Sequence, residues 1–224
     1  ALSEDVAWLD SQGMTVKIHA TGDRAVRTAL DAIEHARNTN VQAGAMHEVS
    51  HAEMIHPDDL VRFDDLNVAA EMCPILWYPG PAVDTMKITL GDRANYFWPV
   101  KSLTEAGALV FYGSDWPAVV PDTNPWPGIE AMISREDPYG KDQGRYWPEQ
   151  AVDLRTVLRI FTINGAIAGK QEKTTGSLEA GKRADFIVLE SNIFELPTAA
   201  LSDVQVMQTF VDGEAVFQRV HAGN

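Results

Sequence analysis

The sequence predicts an α/β protein built on a parallel sheet. Short apolar strands alternate with amphipathic helices in the order βαβαβαβ up to residue 116. The helical segments are long enough to cross over between parallel neighbours. Chemistry-bearing residues also recur at strand ends: His19 after the strand 14–18, His51 at the end of the strand 45–50, and Asp115 after the strand 109–112. That is where α/β barrels carry metal ligands. Four βα units make half of a closed barrel, which needs eight in about 250 residues, or half of an open sheet.

Residues 1–12 read as the tail of a helix with Val6, Leu9 and Leu2 on one face, stopped by Gly13. Residues 14–18 read as a strand, with Lys17 and His19 on one side and Val16 and Ile18 on the other. The apolar pair would face the helices and His19 the mouth of a barrel. Over 23–37, Val26, Ala29, Leu30 and Ile33 fall at helical spacing. Residues 45–50 form a strand, 57–66 a helix with Pro57 in its first turn, and 68–72 a strand. An irregular stretch rich in Pro, Gly and aromatics follows over 73–96. A helix over 98–107 precedes a strand over 109–112. After a Pro/Trp-rich loop at 116–127, helices are expected near 128–135 and 154–163.

The composition changes near residue 174. Residues 185–189, 204–211 and 214–217 read as strands, and Asp212-Gly213 is a two-residue hairpin turn. The expected division is 1–173 for the half-barrel and 174–224 for a small β module.

The 224 residues are 45% hydrophobic and 22% charged, with a net charge of −14. No Lys/Arg cluster offers a nucleic-acid surface. No apolar run approaches the ~20 residues of a membrane helix. One cysteine, Cys73, excludes an intrachain disulfide. A cytoplasmic location is expected, with export left open because the first residue is not Met. There is no Gly-x-Ser-x-Gly elbow, phosphate loop, dinucleotide motif or Cys pair for structural zinc.

Each candidate has a plainer alternative. His19 can be a hydrogen-bonded strand-end histidine. His51 competes with His47, which shares its parity and lies deeper; His35 reads as solvated and His56 as part of a turn. Asp115 can bind a cation and exchange a proton with water, or form an Asx turn. Asp23 reads as a helix N-cap. Trp77 and Arg93, in the 73–97 loop, and Trp116, in the 116–127 loop, either line a substrate pocket or pack their loops onto the body.

These residues resemble the amidohydrolase superfamily, in the branch that includes N-substituted formamide deformylase-like enzymes. The resemblance is carried by His19-Ala-Thr-Gly-Asp-Arg-Ala25, by Gly91-Asp-Arg-Ala94 followed by Gly113-Ser-Asp-Trp-Pro117, and by 176–186 and 209–213. It implies a (β/α)₈ barrel of TIM type, of which this chain is the C-terminal half, with a small β-sandwich built from both chain ends. It implies His19, His51 and Asp115 as ligands of one or two divalent metals, zinc first, with Asp115 as general base and acid in C–N bond hydrolysis. The family's Arg-x-Glu-His-Ala is Glu48-Val-Ser-His-Ala52 here.

The expected partners are a small-molecule substrate and the N-terminal half of the same protein. Uncovered sheet edges also favour a homo-oligomer. Alone, the chain is expected to be inactive. Two other readings stand beside this one: a non-catalytic binding or regulatory protein that keeps the barrel, and an independent four-stranded α/β domain.

Overall fold

The computed structural model describes residues 1–40, 44–73, 77–118 and 122–220. Four strands, β1 (Lys17–Ala20), β2 (His47–His51), β3 (Val68–Met72) and β4 (Leu109–Tyr112), form a parallel sheet in sequential order. Helices α1 (Leu2–Ser11), α2 (Asp23–Thr39), α3 (Leu60–Asp65), α4 (Pro81–Leu90) and α5 (Val100–Glu105) precede or connect them. Helices α6 (Trp126–Ser134), α7 (Leu154–Phe161) and α8 (Ile163–Ala168) follow. Strands β5 (Phe186–Leu189), β6 (Val206–Val211) and β7 (Glu214–Gln218) make a separate antiparallel sheet.

The two-residue strand period sorts the parallel sheet. Val49, Val68, Ala70, Met72 and Val110 are buried against the helices. Lys17, His19, Glu48, Ser50, Glu71 and Gly113 fall on the opposite parity. α2 buries Val26, Ala29, Leu30 and Ile33, as the periodicity requires, and adds Ala32 and Ala36.

Four elements depart from expectation, each for a local reason. β1 starts at Lys17 rather than residue 14; just before it, the Val16 amide donates to the His47 imidazole of β2 at 3.1 Å rather than to a backbone carbonyl. α1 turns Val6, Ala7 and Asp10 inward and leaves Leu2 exposed. Asp10 is drawn in by Arg37, Asn40 and His47. The stretch 73–96 contains α4, with Pro81 in its first turn, and a 3₁₀ turn at Gly91–Tyr96. Residues 154–168 form two helices, because the backbone of Thr162 (φ −130°, ψ −93°) is not helical.

The hairpin at Asp212-Gly213 appears as expected. Both residues have positive φ, 54° and 83°, which is what a type I′ turn demands. Phe186 and Phe210 stack at 4.4 Å across β5 and β6.

Candidate metal centre

Parallel strands bring their C-terminal ends to one edge of the sheet, and the turns that follow carry the polar side chains. His19 lies near the end of β1, paired in register with Ser50; His51 closes β2. Asp115 follows β4 after Gly113 and Ser114. The three converge. The His19 and His51 rings lie 4.4 Å apart between centroids, and His51 Nε2 is 3.9 Å from an Asp115 carboxylate oxygen. His51, Ala52 and Asp115 hold φ values of 67°, 44° and 52°. Left-handed backbone at a non-glycine residue costs about 1–3 kcal/mol and clusters where geometry serves a site. Here it occurs at two of the three converging residues.

Two imidazoles and a carboxylate suit zinc or a similar divalent ion. Among the described residues no three His, Cys, Asp or Glu side chains are close enough to enclose an ion by themselves. His19, His51 and Asp115 thus fit part of a coordination shell and do not complete one.

Glu53, two residues beyond His51, was not singled out by motif or spacing. Its side chain is only 10% exposed, with an oxygen 3.7 Å from His51 Nδ1. Burial, and then the charge of Asp115, push its carboxyl up to about 7. Beneath the histidines lies a second polar group. Lys17 Nζ sits 2.8 Å from Glu71 and 3.4 Å from Glu48, and the Ser50 hydroxyl donates to Glu71. Burial opposes the Lys17 charge, yet hydrogen bonds and attraction from Glu71 and Glu48 outweigh it and raise its pKa. Burial, with the charges of Glu71, Asp115 and Glu53, pushes the Cys73 thiol up to about 12, so it is not a nucleophile at neutral pH.

The competing histidines are otherwise engaged. His47 is wholly buried. Its Nε2 faces Asp10 at 3.1 Å while its Nδ1 accepts the Val16 amide, so both ring nitrogens are used and none is left for a metal. His56 Nδ1 accepts from the Asp58 amide, and His35 lies 3.5 Å from Glu4. Asp23 is the first residue of α2 and Gly22 is its N-cap, which corrects the expected cap by one position.

The three residues expected to touch substrate are placed very differently. Trp77 is a correction: it is wholly buried, its indole N–H donates to the Cys73 carbonyl at 2.6 Å, and Arg135 covers its ring. It has no surface to offer a ligand. Arg93 is exposed and pairs with Asp23 at 2.8 Å, beside the start of α2. Trp116, next to Asp115, is 55% exposed. Segments 74–76 and 119–121 of the two expected pocket loops lie outside the described residues, as does 221–224 of the β module.

The model of the amidohydrolase family matches residues 1–217. The chain belongs to the amidohydrolase family. It is 30% identical over 207 residues to the N-substituted formamide deformylase of Arthrobacter pascens, covering 92% of this chain and 37% of that protein. It is 29% identical over 208 residues to Protein LONG AFTER FAR-RED 3 of Arabidopsis thaliana, covering 93% and 35%. Among solved structures, an uncharacterized metal-dependent hydrolase from Pyrococcus horikoshii OT3 superposes with a TM-score of 0.68 at 25% identity, over 88% of this chain and 38% of that one. An adenosine deaminase from Xanthomonas campestris with bound zinc shares the fold, with a TM-score of 0.63 at 18% identity, over 96% and 48%. This amidohydrolase chain therefore spans between about a third and a half of the length of these relatives. Among the described residues no helix is long and apolar enough to cross a membrane.

Proposed function

We propose that this chain is the C-terminal half of a (β/α)₈ amidohydrolase barrel with part of a small β-sandwich, divided near residue 174. The whole protein would hydrolyse a C–N bond of amide or formamide type in a small molecule. The observation that carries the reading is the meeting of His19, His51 and Asp115 at the ends of three parallel strands.

In this reading His19 and His51 offer neutral ring nitrogens to a divalent metal, zinc first, and Asp115 offers a carboxylate oxygen. The bound cation supplies Lewis acidity for the scissile carbonyl and lowers the pKa of water toward ~7. Asp115 accepts a proton from the attacking water at its carboxylate and returns it to the leaving nitrogen. Glu53 backs His51 from the Nδ1 side at 3.7 Å. Trp116 and Arg93 contact the substrate from the surrounding turns, and Trp77 packs in the core. The ligands that close the shell come from the remainder of the barrel, so the chain by itself does not turn over.

The test uses the longer protein, this chain alone, and an N-substituted formamide as probe. Turnover by the longer protein should fall with a chelator and return with zinc. Asp115→Asn should lower kcat by about 10²–10⁴-fold, the range for a lost acid–base group. Robust hydrolysis by this chain alone, or full activity in Asp115→Asn, contradicts the reading.

A further inference from the structure

Glu71 is the one charged residue in the sequence Val68-Ala-Ala-Glu-Met72 of β3, and its side chain reaches each strand that carries a converging ligand. On β1, Lys17 Nζ lies 2.8 Å from one carboxylate oxygen, two residues before His19. On β2, the Ser50 hydroxyl donates to the other oxygen, one residue before His51. After β4, the carboxyl lies against Gly113, two residues before Asp115: a Cβ built there would stand 2.7 Å from Glu71 Cδ and 2.9 Å from Cγ. The φ of Gly113 is not in the left-handed region. A side chain there would have to displace Glu71.

We propose that Glu71 is a positioning residue, which sets the mutual spacing of His19, His51 and Asp115 by tying together the three strand ends that bear them. The metal-binding part rests on the function proposed above; the geometric part does not. The same contacts account for the altered neighbours of His51. Where the family resemblance has arginine and glutamate at positions 48 and 50, this chain has Glu48 and Ser50. The cation comes instead from Lys17 on β1 and the carboxylate from Glu71 on β3, to which the Ser50 hydroxyl donates. Contacts to three strand ends order a side chain that would otherwise keep its rotamer freedom. They fix the layer directly beneath the site, where partners of this kind typically change metal affinity 10–100-fold.

The experiment compares Glu71→Ala, Glu71→Gln and Gly113→Ala in the full-length protein, with Lys101→Ala on the exposed face of α5 as control. Two quantities are read. The first is zinc affinity by competition titration. The second is the ¹⁵N shifts of the His19 and His51 rings in metal-free, histidine-labelled protein. Glu71→Ala and Gly113→Ala should move both ring signals and weaken zinc binding by about 10–100-fold. Glu71→Gln keeps the shape but has a single acceptor oxygen, so it holds Ser50 or Lys17 and not both; it should move the ring signals and weaken zinc binding less than Glu71→Ala, and it serves if Glu71→Ala does not fold. A purely structural carboxylate would lower the urea midpoint and leave ring shifts and zinc affinity alone; that result overturns the proposal. If the parent binds no zinc yet the ring signals move, the metal reading fails and the positioning role stands. Ring signals that do not move in Glu71→Ala and Gly113→Ala overturn the positioning role whatever zinc does.

Discussion

Asp10→Ala should be among the most destabilising single changes in the chain. The Asp10 side chain is 1% exposed and accepts from three donors: Arg37 at 2.7 Å, Asn40 at 2.7 Å and His47 at 3.1 Å. These contacts fasten α1 to α2 and to the first residue of β2. Removing the carboxylate leaves the Arg37 guanidinium with two backbone carbonyls, Leu66 and Ala45, and no counter-charge. It also leaves the buried His47 Nε2–H without its acceptor. Breaking a buried pair from one side costs about 3–5 kcal/mol. Against a typical ~5–15 kcal/mol for a whole domain, that is a large share. With a urea slope of about 2 kcal/mol/M, the midpoint should fall by ~1.5–2.5 M. Urea titrations followed by far-UV circular dichroism measure it. Asp10→Asn, which keeps one acceptor oxygen, should fall between parent and Asp10→Ala. The Asp10→Ala/Arg37→Ala double variant should cost less than the sum of the singles by ~0.5–3 kcal/mol. An Asp10→Ala protein within ~1 kcal/mol of the parent would refute the reasoning that this network fixes the first turn of the fold.

Three further outcomes are expected. His47 is held neutral, its pKa lowered first by burial and then by the Arg37 charge. The unfolded imidazole takes up a proton near pH 6.5, so stability should be full above that pH and decline below it; paired melts at pH 5.5 and 7.5 should show a smaller decline in His47→Gln. Trp77→Ala should destabilise by about 3–5 kcal/mol through the cavity it leaves, with KM unchanged in the folded fraction, because the ring reaches no solvent. Arg93→Ala removes an exposed pair with Asp23 and should alter stability by less than ~1 kcal/mol; a raised KM with unchanged kcat is expected if the side chain meets substrate.

The parallel sheet was legible because β3 and β4 are short apolar runs bounded by turn residues, and because α2 keeps a clean helical period. The strand-end positions of His19 and Asp115 were legible for the same reason, since each follows a mainly apolar run; His51 was placed only as the last residue of a short, mostly polar strand. The choice between His47 and His51 was not, since both share one strand parity and only Asp10, 37 residues away in sequence, claims His47. The inward face of α1 was misjudged for a related cause. Hydrophobicity pointed to Leu2, whereas a buried ionic network rotates Asp10 into the interior. α4 was hidden by its flanking Gly80 and Pro81, which read as loop residues although Pro is well suited to a helix's first turn. The sequence leaves Trp77 open between pocket and core, because aromatic content says nothing about which side of a loop faces in. Glu71 was invisible for want of a motif: its meaning lies in contacts to three strands that only the folded sheet assembles.

The most direct test of the central claim is the zinc content of the purified full-length protein, by mass spectrometry, in histidine and aspartate variants. The account predicts that His19→Asn, His51→Asn and Asp115→Asn each lose bound zinc, while His35→Asn, His47→Asn and His56→Asn retain it whenever they fold. Zinc retained in His51→Asn and Asp115→Asn, or lost in folded His47→Asn, would contradict it.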